Sequence, residues 1–440
     1  MTITDAGPDA GQDGGAEVGI NARLAALDIL ASALDRRGGL DNALSDKGFL
    51  RLTVGERAFA RALAMAVLRN LGRIDRALDA KLRKATPERA RNLLRLGAAQ
   101  LFFMDTPDFA AVSTTVKLAE RFAESRAMKG LINAVLRSLG RDGELNAPAG
   151  VNAPDWLWRR WIAAYGEPAA EAVAAVIPEE PPTDLTLKDP ADATALAVEL
   201  EAEVLPGGSL RTRRKGDPTE WPGFVEGRWW VQDAAAAVPV RMLAPRPGEA
   251  VADLCAAPGG KTLQLAAAGA AVVAVDRSAS RLRRLAENLA RMDLPAEVIA
   301  ADAETWDDAR GFDAVLLDAP CTSTGTFRRN PDVIWATGAG DLAKLADLQH
   351  RLLDSAANRV RPGGRLVYST CSLEREEGET QITAFLRRRP DFRLDAVDPT
   401  SVGAPLESAA PEGWLRILPS HWAERGGVDG FFAARLVRQA

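Results

Sequence analysis

The stretch EAVADLCAAPGGKTLQLAAAGAAVVAVD, residues 249–276, decides the fold of the region around it. "EAVADLCA" and "AAVVAVD" are short, nearly continuous apolar runs of the kind found in strands buried on both faces. A Gly-Gly pair and a helical segment lie between them. The alternation continues downstream. Runs at "AEVIAAD", "FDAVLLDAPC", "GRLVYSTCS" and "GFFAARLV" are separated by helical stretches such as "SASRLRRLAENLARM" and "LAKLADLQHRLLDSAANRV". This pattern predicts a parallel, doubly wound α/β sheet over residues 241–440. The first five runs end in Asp253 and Cys255, Asp276, Asp302, Asp318 and Cys321, and Cys371. In open α/β sheets ligands bind beyond the carboxyl ends of the strands, so these residues are expected on one rim.

The loop "DLCAAPGGKT" (Asp253–Thr262) suits close backbone approach to a ligand at the start of a helix. It is not a phosphate-binding Walker loop, because Cys255 stands where that motif needs glycine, and it does not match G-x-G-x-x-G. Asp276 stands where an acidic residue can accept from ribose hydroxyls, and Asp302 is placed to contact an adenine. A nucleoside cofactor without a pyrophosphate is therefore favoured, and S-adenosylmethionine is the candidate. An Asp at a strand end also serves as a helix cap or turn residue; three at corresponding strand ends are harder to explain that way.

The three cysteines bear on the acceptor. Cytosine C5 is a poor nucleophile until a thiolate adds at C6, and a base must later remove the C5 proton so that the thiol can leave. Two thiols with a nearby carboxylate, as in "DAPC" (Asp318–Cys321) and "STCS" (Ser369–Ser372), suit that sequence of steps. The competing reading is that buried cysteines are inert small hydrophobes. For Cys255 a loop role through its backbone is favoured.

Upstream, residues 21–145 are amphipathic and helical throughout, with Leu24, Leu27, Ile29, Leu30 and Leu34 forming one stripe and breakers at Thr86-Pro87 and Thr106-Pro107. This predicts an all-α domain. A Pro/Ala-rich boundary leads into residues 150–240, where mixed signals suggest a small α+β module. Trp156, Trp158, Trp161, Trp221, Trp229 and Trp230 there could stack on RNA beside Arg159, Arg160 and the Arg211–Lys215 run, or form core. Residues 1–20, acidic and Gly-rich, read as a disordered tail without signal-peptide features. No apolar run is long enough for a membrane span, three cysteines suit a reducing cytoplasm, and two histidines are too few for a histidine-based metal site. The net charge of −5 hides a local excess: Arg51–Gln100 holds 12 Lys/Arg against 4 Asp/Glu, which is either an RNA footprint or a solvated surface.

"DLCAAPGGKT", "DAPCTSTGT", "RRNPDVIW" and "PGGRLVYSTCSLEREEGE" resemble the signature blocks of the Sun (Fmu) family of RNA cytosine-5 methyltransferases. "VSTTVKLAERF" and "GLINAVLRSL" resemble the NusB-type helical domain found in the subgroup that acts on small-subunit (16S) ribosomal RNA. The resemblance implies a Rossmann-like S-adenosylmethionine-dependent domain and an RRM-like module. Under it Cys371 attacks C6 and Cys321 assists product release. Cys255, Ala256, Ala257, Pro258, Gly259, Gly260 and Lys261 wrap the methionine part of the cofactor, Asp276 holds ribose and Asp302 adenine. Asp318 lies between cofactor and base, and Lys261 reaches toward the base. Arg328 and Arg329 would either contact RNA phosphates or serve as surface charge. The alternatives are the same chemistry on transfer RNA, or a non-catalytic RNA-binding or antitermination scaffold with a helical domain that contacts protein. Two departures stand out: Ser323 replaces a family glycine, and Gly378 replaces a frequent asparagine.

Overall fold

Five of the six downstream apolar runs become adjacent parallel strands, and the sixth does not. The computed structural model of the chain describes residues 12–35 and 39–440. Spatial contacts divide it into two units. One takes the chain up to Arg159 with Ala170–Glu179 and Asn330–Thr337; the other takes Arg160–Ala169, Glu180–Arg329 and Gly338–Ala440.

The first unit is helical, its longer helices being Gln12–Leu34, Val54–Arg69, Leu71–Lys81, Glu88–Phe103, Asp108–Arg121 and Lys129–Asp142. The first begins inside the stretch read as a tail, whose residues 1–11 lie outside the described ones. Leu27, Ile29 and Leu30 of the expected stripe are buried against Leu63, Leu68, Leu94 and Leu136, with Leu24 and Leu34 at the edge. Two helices start directly after Pro87 and Pro107, whose fixed φ suits the turn into a helix. Thr53 opens Val54–Arg69 with a capping box, each of Thr53 and Glu56 accepting from the other's backbone N–H. Asn330–Thr337, far along the chain, completes this unit: the Asp332 carboxylate accepts from Leu40 N at 3.1 Å, and Trp335 packs on the helical core.

The second unit holds two sheets. The smaller is antiparallel, with strands β1 (Thr183–Leu187), β2 (Ala202–Val204), β3 (Leu210–Thr212) and β4 (Trp229–Val231) in the order β2-β3-β1-β4. Leu185, Leu196, Leu210, Trp221 and Trp229 fill its core. Four of the six tryptophans proposed for RNA stacking, Trp161, Trp221, Trp229 and Trp230, are buried, so burial rather than stacking accounts for them.

The larger sheet contains β5 (Ala250–Leu254), β6 (Ala271–Asp276), β7 (Glu297–Ala300), β8 (Phe312–Asp318), β9 (Val360–Thr370), β10 (Phe392–Leu394), β11 (Leu415–Ile417) and β12 (Phe431–Arg438). β7-β6-β5-β8-β9 are parallel neighbours, so their carboxyl ends share one edge. β12, expected to be parallel, runs antiparallel to β9, β10 and β11. A parallel crossover from β11 would need a helix, and between Ile417 and Phe431 there is only the short turn Ala423–Arg425, so β11 and β12 pair antiparallel. Leu282, Leu285, Leu289 and Met292 form the inner stripe of the helix Ala279–Met292 and pack with Ala256 and Leu263, fixing the loop after β5 from below.

Candidate active site

Pairing between β8 and β9 sets Asp318 opposite Ser369. Cys321 and Cys371 follow these residues by three and two positions, and their sulfurs lie 3.5 Å apart. Both are half-buried. At this separation the two thiols share a proton. The hydrogen bond from Cys321 holds the Cys371 thiol below its ordinary range, against burial and the Asp318 charge. The same bond, with burial, pushes Cys321 well up. The two thiols are thus shifted in opposite directions, an asymmetry that the two similar sequence contexts did not show.

Asp318 is held from two sides. Lys261 Nζ lies 2.7 Å from one carboxylate oxygen and Ser369 Oγ donates to the other at 3.0 Å. The Lys261 ammonium also sits 5.1 Å from the centre of the Phe431 ring. Lys261 thus points along the rim toward the carboxylate that precedes Cys321.

The loop after β5 is built from unusual backbone. Cys255 has φ +62° and Gly259 φ +112°, and Ala257-Pro258 is cis. At Gly259 a Cβ would stand 2.3 Å from Leu285 Cδ1, so only glycine fits this left-handed, closely packed position. Asp276 pins the loop by accepting from Ala257 N at 3.1 Å and Ser278 N at 2.8 Å. The helix Gly260–Ala267 begins at its end. Thr262 Oγ1 donates to Asp253 at 2.6 Å, while Asp253 Oδ1 is buried without a hydrogen-bond partner among the described residues. Burial pushes Asp253 up to about 7. Burial also raises the Cys255 thiol, which packs on the core. Asp302 lies two residues past β7, exposed, and accepts from Glu304 N at 2.9 Å as a turn cap. The loop, Asp276, Asp302 and the thiol pair therefore all belong to one edge of one sheet.

The described chain is matched over residues 240–437 by the family described as 16S rRNA methyltransferase RsmB/F, and over 20–141 by the NusB family. Ribosomal RNA small subunit methyltransferase B of Vibrio cholerae is 36% identical, over 96% of this chain and 98% of that protein. The chain belongs to the 16S rRNA methyltransferase RsmB/F family. A Pseudomonas syringae relative of the same name is 37% identical over 96% of this chain and 98% of its own. Among solved structures, PH0851 is 25% identical with a TM-score of 0.75, covering 94% of this chain and 98% of that one. A methyltransferase homolog protein from Pyrococcus horikoshii is 29% identical with a TM-score of 0.54, covering 64% and 93%.

Within this RsmB/F chain the structure corrects one sequence expectation and adds a residue. Arg328 is buried, with Asp233 at 3.5 Å and Asp429 at 3.4 Å, and Arg329 is ion-paired with Asp429. These arginines neutralise buried carboxylates, a role that their basic sequence context does not show. The added residue is Glu377, fully buried below both thiol loops. It accepts from Thr322 N at 3.0 Å, Thr322 Oγ1 at 2.5 Å and Gln349 Nε2 at 2.9 Å. Thr322 Oγ1 is in turn 3.1 Å from Ser372 Oγ, so residues adjacent to each cysteine meet over one carboxylate. The only sequence signal for it was a glutamate-rich run soon after a cysteine-bearing strand.

In the helical unit, part of the basic excess is spent internally. Arg91 and Arg95 pair with Asp75, and Lys81 with Asp142. Arg51, Arg61, Arg76, Arg83 and Lys84 remain exposed. Among the described residues no helix is long and apolar enough to cross a membrane, and no group of three or more His, Cys, Asp or Glu could hold a metal ion.

Proposed function

We propose that this chain methylates C5 of a cytosine in small-subunit ribosomal RNA, using S-adenosylmethionine and a covalent Cys371–C6 adduct. The observation that carries this reading is the thiol pair, its sulfurs 3.5 Å apart at the ends of adjacent parallel strands beside Asp318. The names of the relatives support the ribosomal substrate.

The fit to the cofactor rests on the loop after β5, where left-handed Cys255 and Gly259 turn the backbone beside Asp276 at the start of the helix Gly260–Ala267. Cys255–Lys261 would hold the methionine part, Asp276 the ribose and the exposed Asp302 the adenine. When bound, S-adenosylmethionine supplies an electrophilic methyl carbon and leaves as a neutral thioether.

The residues of the chain do the rest. The target cytosine must leave its stack to reach the rim. Asp318, fixed by Lys261 and Ser369, accepts from the cytosine N4 amino group and orients the base. The Cys371 thiolate forms a bond to C6 as the C5=C6 electron pair shifts onto C5, and that pair forms the new bond to the methyl carbon. With Cys371 bonded to C6 and no longer paired with it, Cys321 releases its own proton to solvent and takes the C5 proton. The C–H pair restores C5=C6, and the Sγ–C6 pair returns to Cys371. Glu377 keeps the two loops in place throughout.

The test compares wild type, Cys371→Ala and Cys321→Ala on ribosomal RNA from cells lacking this protein. Methyl-labelled S-adenosylmethionine reports transfer, and a denaturing gel reports protein–RNA adducts. Loss of transfer and adduct in Cys371→Ala, with adduct accumulating in Cys321→Ala, is expected. The opposite pattern exchanges the thiol roles. Methylation of transfer RNA but not ribosomal RNA refutes the substrate.

A further inference from the structure

Ser323 stands where the resembling family block has a glycine, and the fold gives the position a glycine's backbone, φ +56°. A side chain there carries a conformational cost that glycine avoids. What the serine adds is a hydroxyl. Its Oγ lies 3.6 Å from Cys371 Sγ and 4.0 Å from Cys321 Sγ, and with the sulfurs 3.5 Å apart the three atoms form a closed triangle. Its other contact, the Cys321 carbonyl oxygen at 3.5 Å, is at the long limit of a hydrogen bond.

We propose that the Ser323 hydroxyl is a third member of the thiol site, donating to the Cys371 sulfur as a thiolate and fixing its direction of attack. The proposal deepens the cysteine reading above and rests on it. Of the two sulfurs Cys371 Sγ is the nearer to the hydroxyl, 3.6 Å against 4.0 Å, and as a thiolate it can only accept from it. The causes acting on Cys371 agree. The hydrogen bond from Cys321 is the largest, and the Ser323 hydroxyl lowers the thiol in the same direction, against burial. A thiolate half-buried beside the Asp318 carboxylate gains from each donor it can reach. Ser323 thus compensates, at the sulfur, for the backbone cost it brings to the loop.

Two variants separate hydroxyl from backbone. Ser323→Ala keeps the Cβ and its left-handed cost but removes the hydroxyl; Ser323→Gly removes both. Iodoacetamide alkylation, resolved by peptide mass spectrometry without RNA or cofactor, gives the pH profile of Cys371. Methyl transfer is measured beside it. In both variants the Cys371 profile is expected to move to higher pH, with alkylation and transfer at pH 7 slower by about fivefold to tenfold. Ser323→Gly should also melt at a higher temperature than Ser323→Ala. An alanine variant with the wild-type profile and transfer rate overturns the proposal. So does a loss confined to the glycine variant, because it traces the effect to the backbone. Profile shifts in both variants, with wild type forming no C5-methylcytosine, support the hydroxyl–thiolate contact and refute the cytosine reading.

Discussion

Removing the Glu377 side chain should loosen both cysteine loops at once. Glu377→Ala removes the acceptor of Thr322 N, Thr322 Oγ1 and Gln349 Nε2, leaving Ser372 Oγ and the Pro320 carbonyl within reach of the last two. Each buried donor left without an acceptor costs about 1–3 kcal/mol. Against that, the variant sheds the cost of burying a carboxylate, a cost visible in the raised pKa of Glu377, whose largest cause is burial. The net loss should be about 3–5 kcal/mol. Glu377→Gln keeps one acceptor oxygen but turns an amide donor toward one of its partners, and about 1–2 kcal/mol is expected. The pH dependence follows from the direction of the shift. A carboxyl raised above its unfolded value gives the folded state an advantage at low pH that is lost as pH rises through the folded value. Glu377→Gln removes that titration, so its deficit should narrow as pH rises. Urea unfolding followed by circular dichroism at two pH values reads these differences, and methyl transfer is measured where both variants are folded. Transfer should fall in both, because the Thr322 and Ser372 contacts that position the thiols depend on this carboxylate. If Glu377→Ala unfolds within about 1 kcal/mol of wild type, the reasoning about stranded donors fails.

Other positions test the rim from different sides. Asp253, raised by burial from 3.8 to about 7, keeps a proton that the unfolded chain loses. Stability should therefore fall by at most about 4 kcal/mol as pH rises through that window, and Asp253→Asn should flatten the decline in denaturation curves at pH 5 and 8. Gly259→Ala drives a Cβ to 2.3 Å from Leu285 Cδ1 at φ +112°. It should cost about 2–4 kcal/mol in thermal unfolding and weaken S-adenosylmethionine binding by calorimetry. Arg211, buried with Asp184 at 2.7 Å and donating to the Gly427 carbonyl at 2.7 Å, holds the small sheet to the β12 approach. Arg211→Met should cost about 3–5 kcal/mol in urea unfolding, with part recovered when Asp184→Leu is added.

The legible part of this molecule was the part that hydrophobic pattern and reactive chain ends can encode. Six apolar runs marked six strands, and polar residues ending five of them marked the rim, because buried strands must be apolar and ligands meet them at their carboxyl ends. The direction of β12 was not legible, since an apolar run looks the same in either direction. The short link between Ile417 and Phe431 excludes only a parallel crossover from β11. Nor was the fate of Arg328 and Arg329 legible. A basic pair in sequence shows charge but not partners, and here Asp429 lies about a hundred residues away.

Glu377 was hidden for the same reason in reverse. A glutamate in a charged run reads as solvated until the Asp318–Ser369 register brings two cysteine loops over it. The roles of the two cysteines depended on that register too. Cys321 and Cys371 end similar apolar runs, so their contexts cannot rank them. Adjacent strand ends bring the sulfurs to 3.5 Å, and at that distance only one of the two can readily be charged. The choice then follows from what surrounds each sulfur. The Cys371 thiol is held low by Cys321 and the Ser323 hydroxyl together, and the Cys321 thiol is pushed up by the same pairing and by burial. A pairwise geometry set by sheet register thus gives two equivalent-looking thiols unlike surroundings, which supports the nucleophile and proton-partner roles proposed above.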